Sequence, residues 1–436
     1  MDAFVIRGGK RLRGRVRING SKNAALPLMA AALLTDEPVT LKGVPDLLDI
    51  SNMCKLLTEL GCDVQRTPNG QGQTITIQVK DPTQSIASYD IVRTMRASIC
   101  ALGPLVAKRG TARVSMPGGC AIGARPVDLH IRGIKMLGAQ VGLDGGYMIA
   151  ETPRLKGTRI FLGGQNGPTV LGTANVMSAA ALAQGTTVIE SAACEPEITD
   201  VANLLNAMGA RISGAGSPRI IVEGVDRLHG TTYTVMPDRI EAGTYIMTAA
   251  ITNGDVTLDN CPMDCLGAAL DRLEEVGVVV ETIEDADQSD PMRQTVRVAS
   301  ARRLEPIHVT TQPYPGFPTD LQAQIMALLC LADGNSMITE RIFADRFVHT
   351  AELSRMGASL IRNGPTVVVT GVRELIGAPV MASDLRASAG LVMAGLAARG
   401  ETVINRVYHL DRGYERMEVT LQALGADIER VDRPAV

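Results

Sequence analysis

Residues 116–130, MPGGCAIGARPVDLH, bring one thiol, one guanidinium and one imidazole into a short glycine-rich stretch. Cys120 follows Gly118 and Gly119 and precedes Gly123, a loop composition that can move and approach a ligand closely. Arg125 and His130 flank it, and positive charge beside a thiol lowers its pKa and makes it reactive. The competing reading is an inert buried thiol, but such cysteines favour regular apolar elements over glycine-rich loops. His130 admits two roles, general acid or hydrogen-bonded structural group.

Charged and amide side chains recur at the starts of helices rich in small residues: Lys22 and Asn23, Arg96, Asp238 and Arg239, Asp320, Asp384 and Arg386, with Arg412 nearby. A cation at a helix N-terminus opposes the macrodipole and needs a reason. Several cations together with helix N-termini make a local site for a small anion. The alternative for each residue is a solvated cap or an ion pair. No GxxxxGK[ST] loop and no GxGxxG opening a helix occurs, which removes the usual phosphate and dinucleotide cradles. Cys261 and Cys265 form a lone CxxxC without a nearby histidine, better read as a loop and helix start than as a zinc site. Arg11, Arg13, Arg15 and Arg17 alternate with Leu12, Gly14, Val16 and Ile18, the pattern of a solvated edge strand guarded by charge.

The elements that must position these groups follow a repeat. An apolar helical run, a glycine and a strand-like alternation recur six times, with the glycines at 61, 138, 209, 277, 357 and 425. Their spacings of 77, 71, 68, 80 and 68 residues divide the 436-residue chain into six similar units. Each glycine fits a helix end at positive φ. A second helix in each unit, starting near Ala24, Arg96, Thr173, Gly243, Leu321 and Ser388, is built from Ala, Gly and Ser, so it should be buried while the first kind is amphipathic. Cutting within 229–243 leaves three units on each side, and a ligand cleft is expected between the halves. With 43 Lys and Arg against 46 Asp and Glu, and 3% aromatics without Trp, neither a polyanion-binding surface nor base-stacking platforms are expected. The longest apolar candidate, 24–34, is too short to span a bilayer and contains Pro27. Eight scattered cysteines suit a reducing cytoplasm.

SKNAALPL (21–28), TMRASICALGPLVA (94–107), MPGGCAIGARPVDLHI (116–131), FPTDLQAQ (317–324), DLRASAGLV (384–392) and YHLDRGYERME (408–418) resemble the UDP-N-acetylglucosamine 1-carboxyvinyltransferases, a family of enolpyruvyl transferases. The resemblance runs along nearly the whole chain. It implies an α/β fold of two inside-out barrel domains with six βαβαββ repeats, three per domain. Residues 22–236 would form the domain with the Cys loop, and 1–21 with 237–436 the second. It implies transfer of the enolpyruvyl group of phosphoenolpyruvate to the 3-hydroxyl of UDP-N-acetylglucosamine with release of phosphate. This is a cytoplasmic step of peptidoglycan synthesis, tied to cell-wall biogenesis, cell shape, cell cycle and cell division, and a fosfomycin target.

By the same resemblance Cys120 is the acid, alkylated by fosfomycin and able to form a covalent adduct with phosphoenolpyruvate, and Asp320 is the base. Lys22, Arg125 and Arg412 neutralise phosphoenolpyruvate, Asn23 holds the tetrahedral ketal, and Arg96 reaches the UDP-sugar. Arg125, Pro126, Val127, Asp128 and Leu129 bind the nucleotide, with Gly167, Pro168, Thr169 and Val170 beside them and Ile342 opposite. His130, Arg346, Asp384 and Arg386 complete the site. In GQNGPTVLG, Gly167, Thr169 and Leu171 stand where the family often has a Lys and a Ser-Val-Gly, leaving backbone amides to serve the nucleotide. No metal or organic cofactor is implied, and no protein partner can be inferred. Other outcomes are a shikimate-phosphate acceptor or a non-catalytic UDP-sugar-binding paralogue.

Overall fold

The computed structural model describes residues 2–70, 72–116, 127–165, 167–283, 290–300 and 303–432. Cys120, Arg125 and Pro126 lie outside the described residues. Two compact units emerge, one from the described residues of 20–236 and one from 2–19 with the described residues of 237–432.

Each unit carries three four-stranded sheets of identical pattern. In every sheet an edge strand runs parallel to its neighbour and the next two pairings are antiparallel, as in His308–Thr310, Asn335–Thr339, Thr366–Thr370 and Ser359–Asn363. The chain closes each unit on itself. In the 20–236 unit the last strand, Thr231–Thr234, pairs parallel with Val39–Val44 from the first repeat. In the other unit Asp2–Arg7 lies between Glu401–Asn405 and Asp427–Asp432 of the last repeat. The strand Arg13–Arg17 is the parallel edge beside Asp255–Cys261, with Arg13, Arg15 and Arg17 exposed and Val16 buried. Arg11 precedes that strand and donates instead to the Asn253 carbonyl.

All six repeat glycines end a helix at positive φ, between 82° and 101°. The two helix types divide as their compositions predict. Every residue of Arg239–Ile251 is buried, whereas Gly267–Val276 buries only Ala269, Leu273 and Val276. In the second unit, Arg239–Ile251, Gln322–Leu329 and Leu385–Ala397 pack on one another at the centre, with sheets outside, and Lys22–Ala31, Leu102–Arg109 and Val170–Ala180 occupy the corresponding places in the first. Small residues make this packing possible: a Cβ on Gly390 would stand 2.8 Å from the Ala323 carbonyl oxygen. Burying each Leu or Ile of these central helices contributes about 1.5–3 kcal/mol. Three central helices start earlier than their small-residue runs suggest, at Val170, Arg239 and Leu385, because Thr169, Asp238 and Asp384 cap them.

Candidate active site

In the 20–236 unit, the helix Lys22–Ala31 begins at Ser21, whose Oγ accepts from the Ala24 amide. Lys22 is its first residue and is 8% exposed. An ammonium there meets the positive end of the helix dipole, and the opposing charge comes from Asp49, whose Oδ2 lies 3.2 Å from Nζ. Asp49 is itself buried and sits in the first turn of Leu48–Glu59, where the dipole favours a carboxylate. Nothing in the sequence around Asp49 marks it as the partner of Lys22. Asn23, next to Lys22, is half-buried. Arg96, also half-buried, opens the 3₁₀ turn Arg96–Ala101, which packs against the helix that Lys22 begins.

The helix Asp128–Met136 follows a buried Val127, with Asp128 exposed, Leu129 half-buried and His130 buried. Gly164, paired with Gly167 in a two-residue ladder, lies against Leu129: a Cβ on it would stand 3.0 Å from Leu129 Cδ1. The structure therefore brings Leu129 together with the Gly167–Pro168 strand. Thr169 caps the next helix through Oγ1 on the Gly172 amide, and Val170 is that helix's first residue. The start of this third central helix thus carries a hydroxyl where other repeats carry charge.

His130 is held by Asn175, a residue outside the expected set. The Gly103 amide donates to Asn175 Oδ1 at 2.5 Å, and Asn175 Nδ2 donates to the Ile99 carbonyl at 2.9 Å. These two partners fix which end of the amide is which, since an amide N–H only donates and a carbonyl only accepts. The amide nitrogen that faces His130 Nδ1 at 3.0 Å is therefore a donor. Nδ1 must accept, which leaves the imidazole neutral with its proton on Nε2. In the described geometry His130 is a hydrogen-bonded group tied to the segments that carry Arg96 and Thr169.

In the other unit, Asp320 lies on the 3₁₀ turn Thr319–Leu321 with its side chain 28% exposed. Arg346 Nη1 reaches Oδ1 at 2.8 Å and Arg386 Nη2 reaches Oδ2 at 3.3 Å. Both guanidinium groups are buried. Burial works against the Arg386 charge, but Tyr414, Asp320 and Asp238 outweigh it and raise its pKa. The Arg386 guanidinium also stands over the Tyr414 ring, 5.4 Å from its centre. Asp384 caps the helix Leu385–Ala397, its Oδ1 accepting from the amides of Arg386 and Ala387. Burial pushes the His349 imidazole down to about 4, assisted by Arg346 and opposed by Asp384. Arg412 ends the turn Val407–Arg412, favourably placed for the dipole, and the next residue, Gly413, packs against Leu385 at the start of the Arg386 helix. Ile342 is half-buried, and its amide donates to Glu340.

Two further buried carboxylates lie in this unit outside the expected set. Glu340, fully buried, accepts from the Thr311 and Thr319 hydroxyls and from the Ile342 and Phe343 amides. Glu241, in the first turn of Arg239–Ile251, accepts from the backbone and side-chain nitrogens of Asn19. Burial, with Asp238 and Glu415 nearby, drives the Glu241 carboxyl up to about 8. At six of the seven described cysteines burial disfavours the thiolate. Burial pushes Cys62 up to about 11 and Cys100, Cys261 and Cys330 up to about 12, and it raises Cys54 and Cys194. Among the described residues, no group of three or more His, Cys, Asp or Glu side chains is placed to hold a metal ion, and no helix is long and apolar enough to cross a membrane.

Each unit thus holds buried cations fixed by carboxylates of the same unit, Lys22 by Asp49 in one and Arg346 and Arg386 by Asp320 in the other. The family model described as EPSP synthase (3-phosphoshikimate 1-carboxyvinyltransferase) matches residues 6–421. Proteins named UDP-N-acetylglucosamine 1-carboxyvinyltransferase are similar along the full chain. That of Solidesulfovibrio magneticus is 52% identical over 99% of this chain and 100% of its own, and that of Magnetococcus marinus is 50% identical with the same coverage. Among solved structures, the enolpyruvyl transferase NikO from Streptomyces tendae matches with a TM-score of 0.87, 25% identity and 99% coverage of both chains. An EPSP synthase from Acinetobacter baumannii matches with a TM-score of 0.75 at 19% identity, covering 99% of this chain and 100% of its own.

Proposed function

Because the chain belongs to the EPSP synthase family of enolpyruvyl transferases, we propose that it transfers the enolpyruvyl group of phosphoenolpyruvate to the 3-hydroxyl of UDP-N-acetylglucosamine, releasing phosphate. The observation that carries the choice of acceptor is identity of about half along 99% of the chain with proteins bearing that activity's name, against 19% with an EPSP synthase. The reaction is the first committed step of peptidoglycan synthesis. We place it in the cytoplasm, a reading supported by the seven described cysteines being free thiols.

The proposed chemistry is addition followed by elimination. The sugar oxygen bonds to C2 of phosphoenolpyruvate as C3 gains a proton, and Asp320 takes the proton of the attacking hydroxyl. Cys120 delivers the proton to C3. The tetrahedral ketal then loses phosphate as a C3 proton returns to the Cys120 thiolate, regenerating the double bond as an enol ether and the starting thiol. Lys22, Arg125 and Arg412 hold the carboxylate and phosphate and stabilise the charge that grows on departing phosphate. Asn23 steadies the ketal, and Arg96, Val127–Leu129 and Gly167–Val170 hold the UDP-sugar, with Pro126 and Ile342. The Asp49 partner supports the Lys22 role by holding the ammonium in a buried position. Arg346 and Arg386 support the Asp320 role by fixing both carboxylate oxygens. Phosphate release measured with phosphoenolpyruvate and either UDP-N-acetylglucosamine or shikimate 3-phosphate tests the assignment. Release with the UDP-sugar alone is expected. Release with the shikimate ester alone would reassign the acceptor, and release with neither would make the chain a binding protein.

A further inference from the structure

We propose that Glu340 is a positioning residue that tunes Asp320 through Thr319 and Arg346; the inference rests on the reading of Asp320 as the base. The path is continuous. Thr319 Oγ1 donates to Glu340 Oε2 at 2.8 Å, Arg346 Nη1 donates to the same hydroxyl oxygen at 3.0 Å, and that guanidinium nitrogen also reaches Asp320 Oδ1 at 2.8 Å. A guanidinium can only donate, so the Thr319 lone pairs face Arg346 and its proton faces Glu340. The other Glu340 oxygen is saturated by Thr311 and by the Ile342 and Phe343 amides, which pins the carboxylate and leaves it no freedom to follow Arg346.

The need for such a device follows from the chemistry asked of Asp320. A general base works best when its proton affinity lies near the operating pH, yet two guanidinium groups on one carboxylate hold it in its charged form. Glu340 divides the Arg346 charge: the guanidinium bonds Asp320 on one side and, one hydroxyl removed, a buried carboxylate on the other. Arg386 is likewise steadied away from Asp320, by Tyr414, over whose ring it stands, and by the charge of Asp238. The shared Arg346 leaves Asp320 a stronger base than two undivided guanidinium groups would.

The test is the pH dependence of kcat/KM for the full chain and its variants. Glu340→Gln keeps a side chain of the same shape and removes the charge, so the Asp320 anion is favoured and the acid limb of the profile should move down by about half a unit to one unit. The maximal rate should fall by about three- to tenfold, less than the roughly 10²–10⁴-fold expected for loss of the base itself. Thr319→Val, nearly isosteric, cuts the path without altering charge and should shift the limb the same way by less. Thr319→Ser should recover the profile lost in Thr319→Val, and it carries the comparison if Glu340→Gln fails to fold. Folded variants whose acid limbs coincide with the parent's would overturn the inference while leaving the proposed reaction standing. An Asp320→Asn variant that turns over like the parent would remove both.

Discussion

Replacing Glu241 by Gln should change the stability of the unit that holds Arg239–Ile251 with a sign that depends on pH: a small loss near pH 5 and a gain at pH 8. In the folded chain this carboxyl is driven up to about 8 from an ordinary 4.5, mainly by burial and then by Asp238. A carboxyl whose folded-state value lies above its unfolded one keeps its proton longer in the folded chain. Stability therefore falls as pH rises from about 4.5 to about 8 and is level outside that window. The gap corresponds to a loss of up to about 5 kcal/mol across the window. Glutamine escapes that loss but cannot accept both Asn19 donors, one of which would face an NH₂ group, at a cost of about 1–3 kcal/mol. The variant should thus be slightly less stable than the parent near pH 5 and more stable at pH 8. At about 2–4 °C per kcal/mol for a unit of this size, the Tm difference between variant and parent should rise by several degrees between those pH values. Differential scanning calorimetry of both proteins at matched ionic strength reads this directly. A Tm difference that stays flat with pH would show that the Glu241 carboxyl titrates normally and that its burial carries no electrostatic strain.

Fosfomycin at neutral pH should alkylate Cys120 alone, faster with UDP-sugar present, because burial raises the pKa of the other thiols for which a shift is resolved; adducts spread over several cysteines in a peptide map would contradict a specially reactive loop. Cys120→Ala should abolish or nearly abolish turnover while Cys120→Asp retains some, since a carboxyl can also deliver a proton; equal rates for the parent and Cys120→Ala would refute the acid role. Long-range ¹⁵N–¹H correlation spectra should show His130 as the Nε2–H tautomer near neutral pH, and Asn175→Asp, which sets an acceptor against Nδ1, should move the proton there and raise the imidazole pKa. An unchanged His130 spectrum in that variant would mean that Asn175 does not set the tautomer.

The features legible in the sequence are those with local causes. Gly61, Gly138, Gly209, Gly277, Gly357 and Gly425 announce themselves because a helix end at positive φ constrains the residue at that point, whatever it packs against. The buried small-residue helices and the exposed arginines of Arg13–Arg17 are likewise written in periodicity. Helix-start charges are less transparent. Asp238 and Asp384 are caps, while Lys22 is a buried ion-pair member, and residue type alone does not separate these fates. Asp238 and Glu241 even have capping-box spacing, but the Glu241 carboxylate turns to Asn19, more than two hundred positions away. Asp49, Asn175 and Glu340 are hidden for the same reason: Lys22, His130 and the Thr311 and Thr319 hydroxyls are brought to them by tertiary packing, and only the Ile342 and Phe343 amides on Glu340 are local. Each satisfies a buried group that would otherwise be costly, a requirement that becomes visible only once burial is known.

Running the reaction in deuterium oxide and examining the isolated product by NMR and mass spectrometry tests addition and elimination most directly. Protonation of C3 makes a methyl group, so the later loss of one hydrogen must leave deuterium in part of the vinyl carbon of an enolpyruvyl ether on the 3-oxygen of UDP-N-acetylglucosamine. A product without deuterium, or a phosphorylated UDP-sugar accompanied by pyruvate, would contradict the account.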